Sequence, residues 1–218
     1  MLMNEAELRL EICRVGHSLY ARGCAHGTAG NLSARLPGGR GLLITPADAC
    51  LGRLEPDGLA RIDAHGRQVV GAPASRMLAL HRRLYGLDAG IGCVLHVRST
   101  QLVALTLAGV WRPDAVLPPI TPHLVMKVGR VPLIPYRRPG DPAVPDLIAQ
   151  ALAPARAFGA VLCDRLGPIV WHATPAGAMA LLEELEESAR LWLMTQPRPT
   201  PLGPAQIEEL RQAFGVHW

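Results

Sequence analysis

The sequence holds 218 residues, of which 49% are hydrophobic and 18% charged, with a formal net charge of +4. That length and apolar content suit a folded chain with a sizeable core and exclude a disordered one. The basic residues are dispersed, two Phe and three Tyr leave little to stack bases on, and no apolar run nears the roughly 20 residues of a membrane span, so neither nucleic acid nor a bilayer is an expected partner.

The opening stretch, MLMNEAELRLEICRVGHSLY, carries acids in an amphipathic pattern unlike a secretory leader, so a cytoplasmic chain is expected. Asn4 is placed to cap a first helix whose apolar stripe is Leu8, Ile12, Val15 and Leu19, with Gly23 as its stop. GTAGNLSARL then reads as a glycine-rich turn into a strand. GLLIT and LARID read as two more strands, the second closed by a turn at His65 and Gly66. Residues 75–85 are expected to be helical, with Gly86 as the stop. GCVLHVRST, residues 92–100, reads as a strand, and a further helix is expected to start at Thr100 and run to Leu107.

The proline-rich stretch LPPITPHLVMKVGRVPLIPYRRPGDPAVP is apolar enough for an ordered loop, with a short strand at VPLIPY and a turn at RPGDP. A helix over residues 146–152 precedes two strands, GAVLC and GPIVWH. A long helix over residues 175–194 is expected to expose Glu183, Glu184, Glu186 and Glu187 and to bury Leu182, Leu185 and Ala189. A proline-rich linker, residues 196–203, leads to a last helix over residues 204–214. Short strands without regular βαβ alternation predict an α/β fold: a central, mostly antiparallel sheet flanked by helices in three αβα layers, as a single domain over residues 1–218.

Five cysteines, Cys13, Cys24, Cys50, Cys93 and Cys163, stand singly in apolar segments and read as reduced, buried thiols. Of the 22 basic residues only Lys127 is a lysine, so Schiff-base chemistry rests on Lys127 or does not occur. The turn over residues 27–33 offers backbone N–H groups with Thr28, Asn31 and Ser33, a plausible cradle for a phosphate or carboxylate, although most such turns only supply positive φ. Thr45, at a strand end, either caps the next turn or faces a ligand. Ser75 and Arg76 fall near a helix N-terminus, where the dipole favours anions, though Ser75 equally reads as a plain N-cap. A lone helical histidine such as His81 is more often structural than a ligand.

His96 and Arg98 are harder to assign to packing. Two apart in a strand, they share a face roughly 7 Å from one another. A guanidinium there requires solvent, an acidic partner or an anionic ligand, because an unpaired buried charge is costly.

The stretches GNLSARLP, CLGRLEPDGLARIDAHGR, LPPITPHLVMKVGRVPLIPYRRPGDPA and LEELEESARLWL resemble the class II aldolase/adducin family, most closely its 3-oxo-tetronate 4-phosphate decarboxylase branch. The resemblance runs over nearly the whole chain. It implies an antiparallel sheet between helix layers, a homotetramer with sites at subunit interfaces, and a divalent metal, often zinc, held by three histidines beside an acid/base glutamate. The positions that correspond here are His96, Arg98 and Leu166 for the histidines and Met77 for the glutamate; the family's proton-donating tyrosine corresponds to His123.

One histidine does not hold a zinc ion that wants at least three protein ligands, and a guanidinium repels a cation. No metal or other cofactor is therefore expected. Thr28, Asn31, Thr45 and Ser75 fit the family's phosphate cradle with Arg76 beside them, while Asp48 would repel a phosphate unless paired with Arg76 or Arg98. The sequence thus predicts a metal-independent lyase or decarboxylase acting on a small anionic keto acid or polyol phosphate, with His96, Arg98 and His123 as its chemical groups. The alternative is a non-catalytic paralogue that binds a ligand or assembles with partner subunits. A metal site rebuilt from His96, His123 and Asp164 or His81 is disfavoured by Arg98.

Overall fold

The computed structural model describes residues 3–152, 159–216 and 218. Two compact units divide the chain: Met1–Arg98 with Val170–Met179, and Ser99–Ile169 with Ala180–Trp218.

The first unit opens with helix α1 (Glu5–Ala21). Asn4 Oδ1 accepts from the Glu7 backbone N–H and the Glu7 carboxylate accepts from the Asn4 N–H, a reciprocal cap that satisfies two otherwise orphaned donors. Leu8, Ile12, Val15 and Leu19 form its buried face, as the spacing predicts. Ile12 and Leu19 are fully buried, each contributing about 2 kcal/mol of apolar transfer. That face lies on the short helical turn Leu51–Arg53 and on β1 (Gly30–Arg35). Gly16 permits the approach, since a Cβ there would stand 2.7 Å from the Leu51 carbonyl oxygen.

Strands β2 (Leu42–Ile44), β3 (Ala60–Ile62), β4 (Gln68–Val70) and β5 (Cys93–Val97) complete this part of the sheet in the order β4-β3-β2-β1-β5, every neighbour antiparallel. Helix α2 (Leu78–Tyr85) packs against β5. Gly30 opens β1 at φ +150°, where a side chain would crowd the His96 carbonyl oxygen and Val97.

The second unit holds α3 (Thr100–Ala108), a π-helical turn at Leu124–Val128, β6 (Leu133–Ile134), α4 (Val144–Leu152), β7 (Ala160–Cys163), most of α5 (Pro175–Met194) and α6 (Pro204–Phe214). The first half of β8 (Gly167–His172) also belongs here, and β6 pairs with β7 in parallel. The architecture is α/β, a mixed sheet flanked by helices.

Several boundaries differ from the sequence reading. Strand β4 escapes it because all three of its residues are exposed at a sheet edge, leaving no apolar alternation to read. Helix α2 starts at Leu78 rather than Ser75: Met77 holds the cap position without a side-chain bond, and Ser75 Oγ instead accepts from the Met77 N–H at 3.2 Å. Strand β5 ends at Val97, so Arg98 lies just past it. Of the four glutamates expected to be exposed on α5, only Glu187 is. Glu186 is half-buried because its carboxylate accepts from the Gln101 and Leu102 N–H groups at 2.8 and 3.1 Å, capping the first turn of α3. Among the described residues, no helix is long and apolar enough to cross a membrane.

Candidate functional site

The register of β1 on β5 places Asn31 opposite His96 and Ser33 opposite Val94. Directly opposed residues share a face, so the Asn31 amide, the Ser33 hydroxyl and the His96 ring stand on one side of the sheet, with Leu32 and Leu95 on the other. Helix α2 covers that side and sends down two polar side chains one turn apart, His81 and Tyr85.

These groups form a continuous buried chain. His81 Nε2 is 2.6 Å from Asn31 Oδ1, and His81 Nδ1 is 2.7 Å from Ser33 Oγ. Ser33 Oγ is 2.8 Å from the Tyr85 hydroxyl. Ser33 and His81 are fully buried, and Asn31 and Tyr85 nearly so. Burial, then the nearby His96, pushes the His81 pKa down to about 3, so its ring is neutral at ordinary pH. Burial raises the Tyr85 phenol well above its ordinary value and drives the Cys93 thiol up as well.

Next to Asn31, the Thr45 Oγ1 accepts from the Leu32 N–H at 3.2 Å, and the Thr45 N–H donates to the Leu32 carbonyl at 3.0 Å. The Ser75 N–H donates to the Thr45 carbonyl at 3.1 Å. Backbone bonds thus draw Asn31, Thr45 and Ser75 to one corner, each buried. Both hydroxyl oxygens already accept from the backbone, yet each keeps its proton to donate. Thr28 lies apart, on the exposed two-residue turn closed by the Ala29 N–H to the His26 carbonyl.

The charged residues behave differently. Arg76 pairs with Asp48 at 3.1 Å, with both side chains largely exposed (83% and 72%). Asp48 adopts a left-handed backbone, φ +54°, a conformation that Asp tolerates better than most side chains. Arg98 is exposed beyond the end of β5, not part of the strand face that the sequence suggested. His96 is half-buried.

A cavity of about 670 Å³ opens at the other end of these strands, where Arg35, Gly41, Tyr85 and Gly92 line it. It does not include Asn31, Thr45, Ser75 or His96.

In the second unit, His123 is exposed just ahead of the π-helical turn. Leu166 sits in the tight turn between β7 and β8, where its N–H donates to the Cys163 carbonyl at 3.1 Å and Arg165 takes a left-handed conformation, φ +61°. Ser33 and Tyr85 carry the relay with His81, yet the sequence reading only counted Ser33 in the turn, took His81 as more often structural than a ligand, and gave Tyr85 no role. The available signal was the pairing of polar residues two apart on a strand with polar residues four apart on a helix.

The sequence profile of the Class II Aldolase and Adducin N-terminal domain matches residues 10–193. The chain belongs to the class II aldolase and adducin family. It is 50% identical over its full length, and over the whole of the relative, to the 3-oxo-tetronate 4-phosphate decarboxylase of Cupriavidus necator. Against the enzyme of that name from Escherichia coli K12 it is 38% identical, covering 95% of this chain and 96% of the relative. Among solved structures it resembles YgbL from Klebsiella pneumoniae, described as an aldolase/epimerase/decarboxylase, with a TM-score of 0.85, 40% identity, and coverage of 96% and 100% of the two chains. An L-fuculose 1-phosphate aldolase shares the fold at TM-score 0.79 and 20% identity.

The positions that the resemblance assigns to the family's metal and its acid/base group carry an imidazole, a guanidinium, an aliphatic chain and a thioether in His96, Arg98, Leu166 and Met77. Among the described residues no group of three or more His, Cys, Asp or Glu side chains is placed to hold an ion.

Proposed function

We propose that this chain is a decarboxylase-type enzyme of the class II aldolase family that acts on a small phosphorylated keto acid without a divalent metal. The observation that carries the reading is the register of Asn31 on His96, which sets an amide of the anion corner and a half-buried imidazole side by side on one sheet face. Full-length identity of 50% to a 3-oxo-tetronate 4-phosphate decarboxylase supports the substrate class.

The chemistry needs an electron sink rather than a metal as such. In a 3-oxo acid the bond from the α-carbon to the carboxylate breaks, its electron pair passes toward the 3-oxo group, and carbon dioxide leaves an enediolate behind. A proton then returns to carbon and yields a hydroxyketone phosphate. A cation or a hydrogen-bond donor at the developing oxyanion lowers the barrier, and one such donor contributes about 10²–10³ in rate. His96 is assigned that role, with Arg98 as a fixed positive charge nearby in sequence and His123 as proton donor. Asn31, Thr45 and Ser75 hold the phosphate, with Thr28 and Arg76 at the rim. The family resemblance supports a cytoplasmic homotetramer.

Met77, standing where the family has its acid/base glutamate, favours a second reading in which the ligand binds without turnover. Carbon dioxide release from 3-oxo-tetronate 4-phosphate by the purified protein separates the two. Turnover is expected. A protein that is stabilised against heat by that compound but never consumes it would establish the binding reading instead.

A further inference from the structure

The buried chain from Tyr85 to Asn31 has a definite direction, and the direction decides which end of the Asn31 amide is available to a ligand. Asn31 Oδ1 is a carbonyl oxygen that can only accept, so His81 Nε2, 2.6 Å away, is the donor. With its hydrogen on Nε2 the neutral ring accepts at Nδ1, and the Ser33 hydroxyl donates to it at 2.7 Å. The Ser33 proton being committed to the ring, the Tyr85 hydroxyl donates to Ser33 Oγ at 2.8 Å. Each of the three bonds thus pairs one donor with one acceptor, which matters because a mismatched polar pair this deep costs more than a single bond returns.

We infer that His81 is a positioning residue: it holds the Asn31 carbonyl oxygen inward, so that the amide N–H₂ is presented to an anionic group of the substrate. The inference rests on the proposed anion site at Asn31. Run in the opposite direction, the same chain would present a carbonyl oxygen and repel an anion. Ser33 and Tyr85 continue the chain behind His81 without touching the ligand.

Two amide substitutions separate positioning from simple filling of space. In His81→Gln the terminal amide reaches about as far as Nε2 and keeps the donor to Asn31. In His81→Asn the shorter amide reaches only to the Nδ1 level and serves Ser33 instead. Titration with inorganic phosphate is expected to give near wild-type affinity for His81→Gln and a roughly 10- to 100-fold loss for His81→Asn, the range for a hydrogen bond to a charged group. Asn31→Ala is expected to lose phosphate affinity as well. Nitrogen NMR of the imidazole in the unmodified protein reads the tautomer directly and needs no variant to fold.

Protonation at Nε2 together with the Gln/Asn split supports the assignment. Protonation at Nδ1, or equal losses in the two variants while Asn31→Ala still abolishes binding, overturns the role of His81 and leaves the anion site standing. Unchanged phosphate affinity in Asn31→Ala overturns the anion site itself, and the positioning role with it.

Discussion

The buried corner between β1 and α2 and the exposed charges around it solve the same problem in opposite ways. In the corner, Asn31, Ser33, His81 and Tyr85 are neutral, out of water and joined by hydrogen bonds. At the rim, Arg76 and Asp48 are paired but solvated, and Arg98 stands past the strand end. A neutral network in a low-dielectric interior is rigid and costly to breach, whereas a solvated ion pair is worth little and adapts freely. The corner is therefore suited to hold geometry, and the rim to adjust charge.

The largest expected effect tests the boundary between the two regions. His96→Ala removes the half-buried imidazole opposite Asn31, and turnover is expected to fall about 10²–10³-fold with little change in substrate affinity. Steady-state kinetics reads that split. A rise in KM at constant kcat would move His96 from the chemical step to binding.

Within the corner, His81→Ala strands Ser33 Oγ and Asn31 Oδ1 and leaves a void. Its expected cost is about 3 kcal/mol of stability, measured by denaturant unfolding. The same ring makes stability depend on pH. An unfolded His81 takes up a proton near its ordinary 6.5, whereas the folded one does not until about 3. Between those values the unfolded state binds the extra proton, so stability falls as the pH drops, by roughly 1.4 kcal/mol per pH unit from this group. His81→Gln lacks that contribution, and its unfolding midpoint is expected to decline less steeply below pH 6. The smallest effect belongs to the rim: Arg76→Ala is expected to shift stability by less than about 0.5 kcal/mol, since both partners in the Asp48 pair are exposed.

Much of the fold was legible because apolar periodicity and capping agreed with each other. Asn4, the stripe Leu8–Ile12–Val15–Leu19 and the terminus of α6 at Phe214 all stand where the sequence puts them. Strand β4 and the π-helical turn Leu124–Val128 were not legible: an exposed edge carries no alternation, and a π turn has no distinct residue signature. At the site, backbone pairing places Asn31 beside His96 and links Thr45 to Ser75; the resemblance, more than residue type, had put Asn31, Thr45 and Ser75 in an anion cradle. The relay was hidden because its partners lie about fifty residues apart, and only the packing of α2 on the sheet joins them. Arg98 was misread as a strand residue because the alternation in GCVLHVRST continues past the last bonded pair, Gly30 with Val97.

The central claim is that turnover proceeds without a divalent ion. Its most direct test is carbon dioxide release from 3-oxo-tetronate 4-phosphate by protein treated exhaustively with a chelator, with residual metal measured on the same sample. Undiminished release at negligible metal content is the predicted result. Release that vanishes on chelation and returns with stoichiometric zinc or manganese would contradict it.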